Sequence, residues 1–116
     1  MEISYKGKVA LVTGSAMGIG LAAATAFAEA GASVAMADIN AEALAESEEK
    51  LQKAGFNVMA IECDTANEEQ IAGMVEKTVS VYGRLDAAFN NAALQTPQVP
   101  LAEMSNDDFD RTIAIN

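Results

Sequence analysis

Apolar positions follow two rhythms along this chain. Around residues 9–13, 33–37, 57–62 and 85–90 they run nearly unbroken, whereas in the stretches between they recur three and four positions apart. Short, nearly continuous apolar runs mark strands covered on both faces, and spacings of three and four mark helices with one buried stripe. In the segment after Asn67, residues Ile71, Met74, Val75, Val79 and Tyr82 keep helical spacing, and Asn67 with Gln70 reads as an N-cap with its capping-box partner. Each helical stretch ends at a glycine, Gly31, Gly55 or Gly83, just before the next β-rich run, which predicts left-handed C-terminal caps.

Strands alternating with helices of this length predict right-handed βαβ crossovers and an α/β fold, a Rossmann-type doubly wound parallel sheet. After the fourth strand, residues 94–104 (LQTPQVPLAEM) hold both prolines and read as a loop, and Ser105 with Asp108 opens a last helix that stops at Asn116 without a terminating signal. The expectation is one dinucleotide-binding domain over residues 1–116, comprising about four strands and incomplete at its C-terminus. It would be the N-terminal part of a larger protein whose substrate and catalytic half follows residue 116.

Composition removes several function classes. Seventeen acidic residues against seven basic ones leave a net charge of −10, concentrated in AEALAESEEK and ANEEQ, and such a field repels a phosphate backbone, so no nucleic-acid partner is expected. No apolar run approaches the roughly 20 residues of a membrane span, and MEISYKGK lacks the apolar core of a secretory signal, so a cytoplasmic protein without membrane contact is expected. The chain has no histidine and one cysteine, which leaves no internal disulfide, no Ser-His or Cys-His mechanism within it, and no expected metal site. Cys63 reads as a small buried residue at a strand end, with no neighbour in sequence to activate its thiol.

Candidate chemistry gathers where the strands end. Thr13 and Gly14 leave the first strand and Gly18 to Gly20 enter the first helix, so the glycine loop meets a helix N-terminus, where unpaired N–H groups bind anions such as a pyrophosphate. Asp38 ends the second strand, eighteen positions past Gly20, where a carboxylate can accept from the hydroxyls of an adenosine ribose. With no cation at Ser15, Ala16, Ile39 or Asn40 to hold a 2′-phosphate, NAD is favoured over NADP. Asp64 and Thr65 leave the third strand and Asn90, Asn91, Ala92 and Ala93 the fourth, which lines one sheet edge with small and polar residues. Taken singly, Asp64 or Asn91 would be a turn residue or a helix cap. Phe109, Thr112, Ile113 and Asn116 share one helical stripe, which places the Asn116 amide either toward the core or at a frayed end.

The series TGSAMGIG (13–20), Asp38, Cys63-Asp64, Asn90-Asn91-Ala92 and TIAIN (112–116) resembles the short-chain dehydrogenases/reductases. The resemblance implies that Gly14, Gly18, Ile19 and Gly20, with Ser15 and Met17 in the same loop, bind the cofactor pyrophosphate. It implies Asp38 and Ile39 at the adenosine ribose, Asp64 and Thr65 at the adenine, and Asn90 with Ala92 along the adenosine side. Asn116 would be the catalytic asparagine, supporting a water-linked proton relay to an active-site lysine. The partners implied are a nicotinamide dinucleotide and a small alcohol or ketone, in a homo-oligomer when the protein is complete.

Two departures stand out. Ala93 replaces the glycine of the usual Asn-Asn-Ala-Gly, and neither Tyr5 nor Tyr82 begins a Tyr-x-x-x-Lys pair, so the chain alone is expected to bind cofactor without turnover. Two other readings remain open at this level: a non-catalytic NAD-binding or regulatory module, and an association-prone fragment with an unpaired fourth strand.

Overall fold

In the computed structural model, residues 4–91 are described. Strands β1 (Val9–Thr13), β2 (Ser33–Asp38), β3 (Val58–Glu62) and β4 (Ala87–Phe89) alternate with helices α1 (Gly18–Glu29), α2 (Ala41–Lys53) and α3 (Glu68–Tyr82). All strand pairings are parallel and the order is β3-β2-β1-β4. The chain walks outward from β1 to β3 and then returns to the other side of β1, so the direction of winding reverses between β1 and β4. In open α/β sheets that reversal opens a crevice at the carboxyl ends of the strands, where ligands bind.

Burial explains the unbroken apolar runs. Every residue of β1 is buried, as are the central residues of β2, because both faces of the sheet are covered. Val12, Val34 and Met36 pack with Phe27 of α1 and Leu44 and Leu51 of α2, while Leu11, Ala35, Ile61, Cys63 and Ala88 pack with Met74 of α3. Gly83 caps α3 at φ 85°, and Gly31 and Gly55 stand one residue past the caps Ala30 and Ala54 of α1 and α2 at φ 103° and 97°, so the glycine stops are left-handed as the sequence predicts.

Several boundaries differ from the expected ones, each for a local reason. Strand β4 is shorter than 85–90, because the Asp86 carboxylate accepts from the Val9 amide at 2.8 Å at one end and Asn90 turns to Thr13 at the other. Strand β2 runs one residue further, to Asp38, which pairs with Glu62. At α3 the Asn67 side-chain oxygen accepts from the amides of Glu69 and Gln70, but Gln70 does not reach back to Asn67; its own side-chain oxygen accepts from the Asp64 amide at 2.8 Å. The buried stripe of α3 takes in Thr78, whose hydroxyl donates to the Met74 carbonyl, whereas Val79 is exposed.

The outer edge of β3 is closed by side chains. Glu48 of α2 accepts from the Ala60 amide at 2.8 Å, and Gln52 donates to the Val58 carbonyl at 3.0 Å. Two ladder groups that would otherwise face a further strand are thereby satisfied. Among the described residues, no helix is long and apolar enough to cross a membrane.

Candidate cofactor site

The glycine loop leaves β1 through Gly14, at φ 63°, and its first half is tied to β2. Ser15 is fully buried, and both its amide and its hydroxyl donate to the Ala37 carbonyl, at 3.1 and 3.2 Å. The Ala16 amide donates to the Asp38 carboxylate at 2.9 Å. Beyond that clamp the loop opens outward: Met17 is extended at the N-cap position of α1 with no side-chain cap, and the first turn of α1 holds no acidic residue. Backbone N–H groups at such a terminus are unpaired within the helix and carry partial positive charge, which suits an anion.

The glycines divide the work. A Cβ on Gly20 would stand 1.8 Å from the Gly14 carbonyl oxygen, so its absence lets α1 start directly against the loop. Gly18, at φ 61°, has no neighbour within 4 Å of where a Cβ would project, and that side of the loop is open. Around the opening stand three exposed large apolar side chains, Met17 (60%), Ile19 (70%) and Ile39 (63%). Exposed apolar groups flanking an uncapped helix terminus fit a ligand that pairs a charged centre with flat apolar rings. These features fit a dinucleotide.

Asp38 sits beside this opening, half-buried, with one oxygen on the Ala16 amide and the other accepting from the Asn40 amide at 3.0 Å. A carboxylate has about four acceptor positions, so two remain for hydroxyl donors. Asp64 and Thr65 follow β3 half-buried, the Asp64 carboxylate accepting from the Ala66 amide at 2.9 Å. Just before them Cys63 is buried, and burial, reinforced by the Asp64 charge, pushes its thiol above its ordinary value. That thiol is poorly suited to nucleophilic chemistry.

Across the crevice, Thr13 ties the ends of β1 and β4 together. Its hydroxyl donates to the Asn90 side-chain oxygen at 2.9 Å and accepts from the Asn91 amide at 3.0 Å. The backbone of Asn91 lies so close to Gly14 that a Cβ there would meet its carbonyl carbon and oxygen at 3.2 Å. Gly14, Ser15, Met17, Gly18, Ile19, Gly20, Asp38, Ile39, Asp64, Thr65 and Asn90 thus gather along one edge of the sheet, at its carboxyl ends and the start of α1. Ala92 and Asn116 lie outside the described residues, as do Ala93, the 94–104 loop and the segment opened by Ser105.

One contributor escapes a reading based on motifs. Ser47 of α2 is buried and its hydroxyl donates to the Ala16 carbonyl at 2.9 Å. The available signal was a hydroxyl on an otherwise apolar stripe, Leu44, Ser47 and Leu51.

The short chain dehydrogenase family profile matches residues 8–116. This chain belongs to that family. It is 37% identical over 110 residues to 3beta-hydroxysteroid dehydrogenase 2 of Eggerthella lenta, covering 95% of this chain and 42% of that relative. It is 41% identical to 2,5-dichloro-2,5-cyclohexadiene-1,4-diol dehydrogenase of Sphingobium indicum, covering 95% of this chain and 43% of that protein. Among solved structures, 7 alpha-hydroxysteroid dehydrogenase complexed with NADH and 7-oxo glycochenodeoxycholic acid superposes with a TM-score of 0.78 at 34% identity, over 95% of this chain and 42% of that one. A hydroxysteroid dehydrogenase from Escherichia coli gives 0.76 at 35% identity, over 93% of this chain and 45% of that one. The Rossmann-type fold and the oxidoreductase family are therefore shared, and the chain spans less than half the length of these short-chain dehydrogenase relatives.

Proposed function

We propose that this chain is the cofactor-binding part of an NAD-dependent oxidoreductase that interconverts a secondary alcohol and a ketone. The observation that carries the reading is the uncapped start of α1, opening beside Asp38 at the point where the sheet reverses its winding. Met17, Gly18, Ile19 and Gly20 would hold the pyrophosphate through backbone amides, with Gly14 and the buried Ser15 shaping the loop that presents them. Asp38 and Ile39 would take the adenosine ribose, Asp64 and Thr65 the adenine, and Asn90 and Ala92 the adenosine side. When bound, the nicotinamide supplies or accepts the hydride.

The preference for NAD rests on charge. A 2′-phosphate beside Asp38 would meet a carboxylate, and residues 14–20 and 39–41 contain no lysine or arginine to offset it. A secondary alcohol as substrate is supported by the names of the hydroxysteroid and cyclic diol dehydrogenases among the relatives. Asn116 would orient a proton relay. Tyr5 and Tyr82 are followed four positions on by Val9 and Asp86, so these 116 residues contain no Tyr-x-x-x-Lys pair to protonate and deprotonate the substrate oxygen. The chain by itself would therefore bind without turning over, and the complete protein would be a cytoplasmic homo-oligomer.

The test is a fluorescence titration with NADH and NADPH. The wild-type chain should bind NADH saturably and prefer it to NADPH, and Asp38→Ala should weaken NADH at least about tenfold, because hydrogen bonds to a charged acceptor are worth about 1.5–3 kcal/mol each. The same variant should narrow the NADH preference, because the carboxylate facing a 2′-phosphate is gone, whereas a merely disordered loop would weaken both dinucleotides alike. Unchanged binding in Asp38→Ala, or NAD reduction by the wild-type chain with a panel of secondary alcohols, would overturn the corresponding part of the reading.

A further inference from the structure

We propose that Ser47, on α2 and outside the glycine loop, is a positioning residue that sets the cofactor loop's geometry; this rests on the cofactor reading above. Leu44, Ser47 and Leu51 form the buried stripe of α2, where each position faces the sheet and the loop rather than water. A hydroxyl at a buried position is tolerated when it has a partner, and the partner here is the Ala16 carbonyl at 2.9 Å.

That single contact completes a two-sided clamp on one residue. The Ala16 amide donates to Asp38, at the end of β2, and its carbonyl accepts from Ser47, so both of its backbone polar groups are fixed by elements outside the loop. Ser15 is held just upstream by two bonds to Ala37. Immediately downstream come Met17, Gly18 and Ile19, which are exposed and are the residues whose amides would face the pyrophosphate. Fixing Ala16 therefore fixes the direction in which that open segment leaves the sheet. Without the Ser47 hydroxyl, the Ala16 carbonyl is buried with a lost partner or the loop turns to find water, and the amides downstream lose their common aim.

The experiment uses the chain itself, with NADH as the probe, at a temperature where far-UV circular dichroism shows each variant fully folded. Ser47→Ala removes the hydroxyl without adding bulk. Ser47→Thr adds a methyl and keeps the hydroxyl, while Ser47→Val has the same shape with a methyl in the hydroxyl's place, so comparing the two cancels most of the crowding. One hydrogen bond's worth of loop order corresponds to about a three- to tenfold change in affinity. Ser47→Ala should bind NADH three- to tenfold more weakly than wild type, and Ser47→Thr should bind at least threefold more tightly than Ser47→Val. A role confined to stability lowers the urea midpoint and leaves the affinity of folded protein unchanged; equal NADH affinity in wild type and Ser47→Ala, or in the Thr and Val variants, overturns the proposal while the cofactor site stands. No saturable NADH binding by wild type overturns both.

Discussion

Gly20→Ala and Gly73→Ala place the same methyl group in two helices with opposite expected results. In α1 the new Cβ would stand 1.8 Å from the Gly14 carbonyl oxygen, 2.6 Å from its carbon and 3.1 Å from the Ser15 Cα. All three are backbone atoms, so no side chain can rotate away. Reaching even 3.0 Å requires the Gly14 oxygen to move by 1.2 Å, and Gly14 is followed directly by the two Ser15 bonds to Ala37. Overpacking of this kind is worth about 1–3 kcal/mol and the two strained hydrogen bonds about 1 kcal/mol each, against a gain of about 1 kcal/mol in helix propensity. The net expectation is a destabilisation of about 2–4 kcal/mol, with loss of NADH binding. Gly73 lies exposed within α3 with nothing near its missing Cβ, so there the propensity gain acts alone and the protein should be stabilised by about 0.5–1 kcal/mol. Urea unfolding followed by circular dichroism compares the three proteins on one scale. If Gly20→Ala unfolds within 0.5 kcal/mol of wild type, the close approach of α1 to the loop is wrong.

Three further predictions concern other parts of the fold. Burial alone would raise the Asp86 carboxyl, but the Arg84 hydrogen bond, the Val9 amide and the nearby Arg84 and Lys8 charges outweigh it and bring the group below its ordinary 3.8. A depressed carboxyl stabilises the fold above its unfolded pKa and loses that contribution as pH falls through the folded one; wild-type stability should therefore decline below about pH 4, and Asp86→Asn should flatten that decline in urea melts at pH 2.5–7. Glu48→Ala with Gln52→Ala exposes the Ala60 amide and Val58 carbonyl on the β3 edge and should give concentration-dependent association in sedimentation velocity, while Glu49→Ala, which touches no edge group, should behave as wild type; a double variant that sediments as wild type refutes the edge-closing role. Cys63 should resist alkylation by iodoacetamide at pH 8 in the native state and react fully in urea, as mass spectrometry will show; rapid native labelling would contradict its burial and raised pKa.

What was legible in the sequence was whatever depends on local periodicity and backbone conformation. The apolar runs located all four strands because both faces of a parallel sheet must be covered, and Gly31, Gly55 and Gly83 marked helix ends because only a glycine readily follows a helix with positive φ. The parts that were not legible depend on which of several polar partners a side chain takes in the folded chain. Gln70 was expected to close a capping box on Asn67, yet the Asp64 amide, presented by the chain leaving β3, takes its carbonyl instead. Thr78, four residues past Met74, is buried while Val79 is exposed; a reading of apolar positions passes over a threonine whose hydroxyl is satisfied by the Met74 carbonyl. The closure of the β3 edge by Glu48 and Gln52 looks in sequence like part of a solvated acidic face.

Asp38 shows how a residue expected at the ribose can carry a second task. Its position and charge were readable from its distance past the glycine loop, and that reading treats it as a ligand for the ribose alone. In the fold both of its oxygens already accept backbone amides, Ala16 from the loop and Asn40 from the start of α2. An asparagine has one acceptor oxygen and would turn an N–H₂ group toward one of those amides, so Asp38→Asn loses a loop contact as well as a charge. Any exchange at Asp38 meant to admit a 2′-phosphate therefore also loosens the loop that would hold the pyrophosphate. A change from NAD to NADP at this site would need, beside a cation at Ile39 or Asn40, a replacement for Asp38 that keeps an acceptor for the Ala16 amide.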